Sequence, residues 1–392
     1  MRDLERLSAP RLRADLPATA IEGHSSMAST EILFKPFSFK SLKLQNRICM
    51  APMTRSQSPD QIPNDKVAAY YKARAAGGTA LILTEGTAPE HKGATNDVNV
   101  PHFWGRESLD GWGKVVREVK SVGGHIMPQL WHQGILRHEG SGPHPEARSS
   151  SPSGLSRKDK KITEPMSDSD IADVIDGFAK SATYAKELGF DGVELHGAHG
   201  YLIDQYFWEE TNQRDDAFGG SLEARSNFAA EIVRGVRKAT GPDFPILLRF
   251  SQWKQQDFTA RLAHTPQQLE TFLKPMIDAG VDIFHCSTRR FWEPEFEGSD
   301  MNLAGWTKKL SGLPTMSVGS VSLNMDFVTG FRQAGAEVSG IDKLIEMMER
   351  GDFDLIAVGR ALIANPDWAQ KVRDGKLNEL VAYDPKMLAE LV

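Results

Sequence analysis

The chain has 392 residues, of which 40 % are hydrophobic and 25 % charged, an ordinary soluble-globular composition with enough length to bury a large core. Its 46 basic and 52 acidic residues give a net charge of -6 without long blocks of either sign, so it carries no electrostatic footprint for a nucleic-acid backbone, and no stretch reaches the roughly 18 apolar residues of a membrane helix. Two cysteines, Cys49 and Cys286, exclude a disulfide scaffold and a four-thiolate zinc or iron-sulfur site and make a reducing cytoplasm the simplest compartment.

In chain order, residues 1–30 read as a flexible N-terminal extension: they hold scattered charges and prolines but no apolar h-region, and Met27 followed by "ASTEILFKPF" looks like a natural beginning. Residues 31–392 read as a single domain. Strands are predicted at "RICMA" (47–51), "ALILT" (80–84), "HIMPQL" (125–130), "GVELH" (192–196), "PILLRF" (245–250), "DIFHCS" (282–287), "PTMSV" (314–318) and "LIAVG" (355–359). Between them, segments such as "DKVAAYYKARAAGG", "SDIADVIDGFAKSATYAKELGF" and "SLEARSNFAAEIVRGVRKATG" place apolar residues at helical spacing, and several open on Ser or Asp and close on Gly, as helix caps require. Apolar strands each followed by an amphipathic helix imply a parallel sheet covered on its outer face. Eight such units predict an α/β fold, a (β/α)8 TIM barrel. The long connections 131–168, 251–266 and 288–305 are expected to overhang the C-terminal face of the barrel, where active sites lie.

The fourth strand runs into "GVELHGAHGYLIDQY" (192–206), which puts His196, His199 and Tyr201 at that face. Two neutral imidazoles aimed at one oxygen stabilise charge developing there, by about 3 kcal/mol per donor, and a phenol is protonated at neutral pH and can act as a general acid. Two alternatives stay open on spacing alone. In one, His199 caps a turn and Tyr201 packs in the core; in the other, His-x-x-His begins a metal site, although no nearby third ligand is evident. Gly319 after the seventh strand, with Gly359 and Arg360 after the eighth, offers backbone N–H groups and a guanidinium to a phosphate. Thr54, Gln129 and Arg249 sit at further strand ends. A bound polar ring system would satisfy all three, the alternative for Arg249 being a pairing with an acid such as Glu194.

Together "NRICMAPMTRS", "TEGT", "QLWHQG", "VELHGAHGYLIDQ", "NQRDDAFGGSLEARSNFAAEIV" and "AVGRALIANPDW" resemble the flavin-dependent ene-reductases of the Old Yellow Enzyme family over residues 31–375. The resemblance implies a barrel that holds FMN non-covalently, with NADPH or NADH as reductant and a small activated alkene as substrate. Pro52, Met53, Thr54 and Gly86 would line the flavin, Gln129 would bind its pyrimidine edge and Arg249 would stabilise the reduced ring. Gly319, Ser320, Gly359 and Arg360 would hold the phosphate. His196 and His199 would bind the substrate's carbonyl or nitro oxygen between pocket walls Trp131 and Trp292, and Tyr201 would deliver the proton.

Thr54 stands where a thermophile-like subgroup carries Cys, so the flavin environment resembles the classical type. Ala224 replaces the family's usual Asn, and stretches 251–266 and 288–305 depart from the common pattern. Two other readings compete: a phosphate-binding barrel lyase or isomerase, whose expected Schiff-base lysine at a strand end is missing from the predicted strands, and a non-catalytic flavin-binding protein. Monomer and homo-oligomer are both compatible with the sequence.

Overall fold

The computed structural model describes residues 29–326 and 335–392; the expectation for the N-terminal extension therefore falls, apart from residues 29 and 30, outside the described residues. All eight predicted strands form. They are β1 (Ile48–Met50), β2 (Leu81–Thr87), β3 (His125–Leu130), β4 (Val193–His199), β5 (Ile246–Lys254), β6 (Ile283–Ser287), β7 (Thr315–Val318) and β8 (Leu355–Val358), closed into a barrel in sequence order. Every neighbouring pair is parallel, including β8 on β1. The fold is a (β/α)8 barrel.

Side-chain alternation along each strand divides the core in two. Val193, Leu195, Ile246, Leu248 and Phe284 face outward and pack under the surrounding helices. Cys49, Leu81, Leu83, Met127, Leu247, Ile283, Met316 and Leu355 fill the interior. A short antiparallel hairpin, Phe37–Phe39 paired with Leu42–Leu44, adds Phe37, Leu42 and Leu44 to that inner cluster and stoppers the N-terminal end. Toward the C-terminal end the inward positions turn polar, with Gln129, Glu194, His196, Arg249, His285 and Ser287 all buried.

The helices end where their sequence says they should. The helix Asp168–Leu188 starts on Ser167 in a capping box with Asp170 and stops at Gly189, whose φ of 85° is left-handed, a conformation glycine adopts without steric cost. Thr265 caps Pro266–Ala279 by accepting the Gln268 N–H. Ala224 lies in the short helix Leu222–Arg225, capped by the Ser221 hydroxyl. Among the described residues no helix is long and apolar enough to cross a membrane.

Three strands run past their predicted ends, the first of them β2, which reaches Thr87. β4 continues through His199, and β5 continues through Lys254, absorbing the first four residues of the stretch expected to be a loop. The connection 131–168 contains a 3-10 turn, Gly134–Leu136, and a small hairpin, Leu155–Arg157 with Lys160–Lys161. Arg137 stitches it down by donating to the Ala147 carbonyl at 2.6 Å and to that of Ser141.

Candidate active site

The exit of β4 builds one wall. His196 points inward, and its Nδ1 accepts the Ala198 N–H at 3.3 Å, which leaves Nε2 as the N–H donor of the neutral ring. His199 sits at φ 64°, the left-handed region a non-glycine residue enters only when its surroundings hold it there. Its N–H donates to the Ser251 hydroxyl at 3.0 Å, its Nε2 lies 2.8 Å from the Ser287 hydroxyl, and its ring stacks on Trp253 at 4.3 Å. Gly200 follows at φ 80°, a backbone conformation that L side chains rarely adopt, and a Cβ there would have to displace the Gln256 amide. The Gly200 N–H donates to Asp204 at 2.7 Å.

Tyr201 then opens the helix Leu202–Phe207 as its N-cap residue. Its ring meets His196 edge-on at 5.0 Å and Trp131 at 5.1 Å, and Gln255 hydrogen-bonds the phenol. Thus His199 does shape a turn, but Tyr201 does not pack in the core; both line the cavity.

Burial sets the protonation states. It drives His196 and His199 well below the usual imidazole range, with the Arg249 cation adding to the effect, so both rings are neutral at pH 7 and offer one N–H each. Burial also raises the Tyr201 phenol, which keeps its proton. Arg249 donates to Ser287 at 3.1 Å, and its Nε has no partner among the described residues. It does not hydrogen-bond Glu194, whose two oxygens are taken by Gln129 at 2.7 Å and His285 at 2.6 Å.

A cavity of about 540 Å³ opens at this end of the barrel, within the usual range for small-molecule and cofactor sites. Pro52, Met53, Thr54, Gly86, Gln129, Trp131, Arg249, Gly319, Ser320, Gly359 and Arg360 line it together with His196, His199 and Tyr201. Trp292 is the exception: it packs edge-on against Phe291 at 5.1 Å beside the core and does not line the cavity. Trp253, a residue that the shorter strand predicted for β5 leaves in a loop, lines the cavity along with Trp131. Gln255 was missed for the same reason. Ser287 ends a predicted strand and could have been flagged, whereas Tyr383 and Leu388, brought to the cavity by the C-terminal segment, carry no local signal at all.

The far end of the cavity suits an anion. The backbone N–H groups of Gly319, Ser320 and Gly359 meet no acceptor among the described residues, and Arg360 lies beside them, two of its nitrogens bonded to the Met325 and Asp326 carbonyls. A guanidinium has five donors, so others stay available. Met53, Val318 and Ala357 add apolar surface to the same lining, which also includes Arg249 and Gln129. Donors for a phosphate at one end and partners for a polar ring at the other fit FMN.

A lysine does end a strand. Lys254 closes β5, but it is fully buried in an ion pair with Asp204 at 2.7 Å and is absent from the cavity lining. Among the described residues no group of three or more His, Cys, Asp or Glu could hold a metal ion.

Comparisons with known proteins agree with this geometry. The model of the NADH:flavin oxidoreductase / NADH oxidase family matches residues 32–379. An NADH oxidase of Thermoanaerobacter brockii is 33 % identical over 360 residues, covering 89 % of this chain and 52 % of that protein, so the chain spans about half of that relative's length. A putative 12-oxophytodienoate reductase-like protein 1 of Arabidopsis thaliana is 32 % identical over 332 residues, covering 84 % of this chain and 96 % of that protein. The solved structure of morphinone reductase in complex with tetrahydroNAD superposes with a TM-score of 0.75 at 27 % identity, covering 91 % of this chain and 93 % of that one.

Proposed function

Because the chain belongs to the NADH:flavin oxidoreductase / NADH oxidase family, and is therefore an FMN-dependent oxidoreductase that draws on NADH or NADPH, we propose that it is an ene-reductase acting on α,β-unsaturated carbonyl or nitro compounds. When bound, FMN would supply the redox chemistry, hydride transfer from a nicotinamide to the β-carbon of the alkene.

The chain's own residues do the rest. Pro52, Met53, Thr54 and Gly86 hold the ring, Gln129 takes its pyrimidine edge, and the Arg249 cation offsets negative charge that builds there. Gly319, Ser320, Gly359 and Arg360 hold the phosphate. His196 and His199, both neutral, each donate an N–H to the substrate's carbonyl or nitro oxygen as charge moves onto it, and they do so in a buried site where such donors count for more than in water. Tyr201, with its proton kept by burial, delivers that proton to the α-carbon. Trp131 and Trp253 bound the substrate space.

One observation carries this reading: His196, His199 and Tyr201 meet on a single wall of the cavity that also holds Arg249, Gln129 and the glycine N–H groups. Stopped-flow kinetics of FMN-loaded Tyr201→Phe test it. Reduction by NADPH or NADH should proceed as in the wild type, while reoxidation by an enone slows by about 100-fold or more. Unchanged reoxidation would remove Tyr201 from the proton-donor role.

A further inference from the structure

Beneath the cavity the barrel holds a polar cluster that meets no solvent. Glu194 and His285 are both 0 % exposed, and the cavity lining includes Gln129 and Arg249 but neither of these two. Glu194 Oε1 accepts the Gln129 Nε2–H at 2.7 Å, and Oε2 lies 2.6 Å from His285 Nδ1. The strand register explains the meeting: Gln129 pairs with Glu194 across β3 and β4, and Arg249 pairs with both His196 and His285.

A carboxylate only accepts hydrogen bonds. Gln129 must therefore turn its amide nitrogen toward Glu194, and its carbonyl Oε1 is the end left for the cavity. His285 must give its Nδ1–H to the same carboxylate, which makes Nε2 a bare lone pair; Nε2 indeed has no partner among the described residues. The oxidised isoalloxazine ring carries a single N–H, at N3, between two carbonyls on its pyrimidine edge. A glutamine presenting its carbonyl matches that donor. Glu194 also puts a negative charge in the low-dielectric interior close to the Arg249 cation, where charges act over short distances with little screening.

We propose that Glu194 is a positioning residue for the flavin: it holds the Gln129 carbonyl toward the pyrimidine N3–H, and its buried charge opposes Arg249 and keeps the reduction potential of bound FMN low. This rests on the flavin assignment above. A buried acid serving packing alone would instead be replaceable by a neutral isostere with no electrochemical consequence.

Glu194→Gln makes the distinction. The neutral His285 ring can exchange tautomers, so the introduced amide can donate to His285 Nδ1 while its carbonyl still accepts from Gln129, and the hydrogen bonds survive as the charge goes. Spectroelectrochemical titration of FMN-loaded protein should show a more positive midpoint potential in Glu194→Gln than in the wild type, with FMN affinity retained. Equal potentials overturn the proposal and leave the flavin assignment standing. A wild-type protein that takes up no FMN, read first from its absorbance, overturns both. Should Glu194→Gln fail to fold, ¹⁵N NMR of the wild-type holoenzyme decides through the His285 tautomer: protonated Nδ1 is expected, and protonated Nε2 overturns the proposed orientation.

Discussion

His199 is held in a left-handed conformation between a stacked Trp253 and the Ser287 hydroxyl, and Ser287 in turn accepts from Arg249 at 3.1 Å. That hydroxyl proton is then available to His199 Nε2, which makes Nδ1 the ring's N–H donor, whereas His196 donates through Nε2. The two imidazoles are thus not equivalent. In the proposed function each is an oxyanion donor worth about 3 kcal/mol, so His196→Ala and His199→Ala are each expected to lower kcat/KM for an enone by about 100-fold. His199→Ala should carry an additional effect on flavin affinity, because the Ser287 hydroxyl that accepts from Arg249 loses its other partner, and His196→Ala should not. Steady-state kinetics beside FMN titrations of both variants check this; equal flavin affinities in the two would show that Ser287 does not couple His199 to Arg249.

At the scale of elements, the junction between the end of β5 and the turn after β4 is held by charge. Lys254 and Asp204 have side chains 0 % exposed and lie 2.7 Å apart, and Asp204 also receives the Gly200 N–H that sets up Tyr201. Breaking a buried pair from one side strands the other charge at a cost of about 3–5 kcal/mol, so Asp204→Asn should lower the urea-unfolding free energy by that amount. Lys254→Met should cost less at pH 5 than at pH 8. Burial already raises the Asp204 carboxyl to about 6 despite the lysine, and without that cation it is protonated over a wider range and no longer strands a charge. A loss that does not vary with pH would mean Asp204 stays ionised without Lys254. This junction also marks where sequence legibility stops. Eight strands are readable because β-branched and apolar runs alternate with capped helices, and the lining residues on strand ends follow from the barrel. The run from Ser251 to Lys254 reads as loop because Gln252 and Lys254 are polar, yet both are buried: Gln252 by bonding Leu262, Ala263 and Glu295, and Lys254 by Asp204. Tertiary partners decide such positions, and no local pattern names them. The N-terminal hairpin and the approach of Tyr383 and Leu388 to the cavity depend on contacts equally remote in sequence.

Across the whole molecule, burial of ionisable groups fixes how stability responds to acid. His91, His102, His132, His196, His199 and His285 are all held below the usual imidazole value by burial, His102 at about 4. As pH falls below about 6.5 the unfolded chain protonates these rings and the folded chain does not, so the unfolded state binds more protons and stability falls, by up to ~1.4 kcal/mol per pH unit for each ring until its own folded value is reached. Three acids act in the other direction. Glu85, raised to about 7, Asp204, raised to about 6, and Glu295, raised by burial, take up protons in the fold before they do in the unfolded chain, and therefore stabilise as pH drops toward 4.5. Six groups against three leave a net loss. Stability should peak near neutral pH, where the imidazoles are neutral in both states, and decline steeply between pH 6.5 and 4.5. Urea midpoints measured at pH 7.5, 6.5, 5.5 and 4.5 on FMN-loaded protein test this. A flat profile across that window would mean that the imidazoles take up protons within the fold, and neutral His196 and His199 could then no longer be assumed as the oxyanion donors. The same burial that makes the two rings usable donors thus sets the acid limit of the fold, because a neutral imidazole at pH 7 is maintained only while the barrel excludes the water that would charge it.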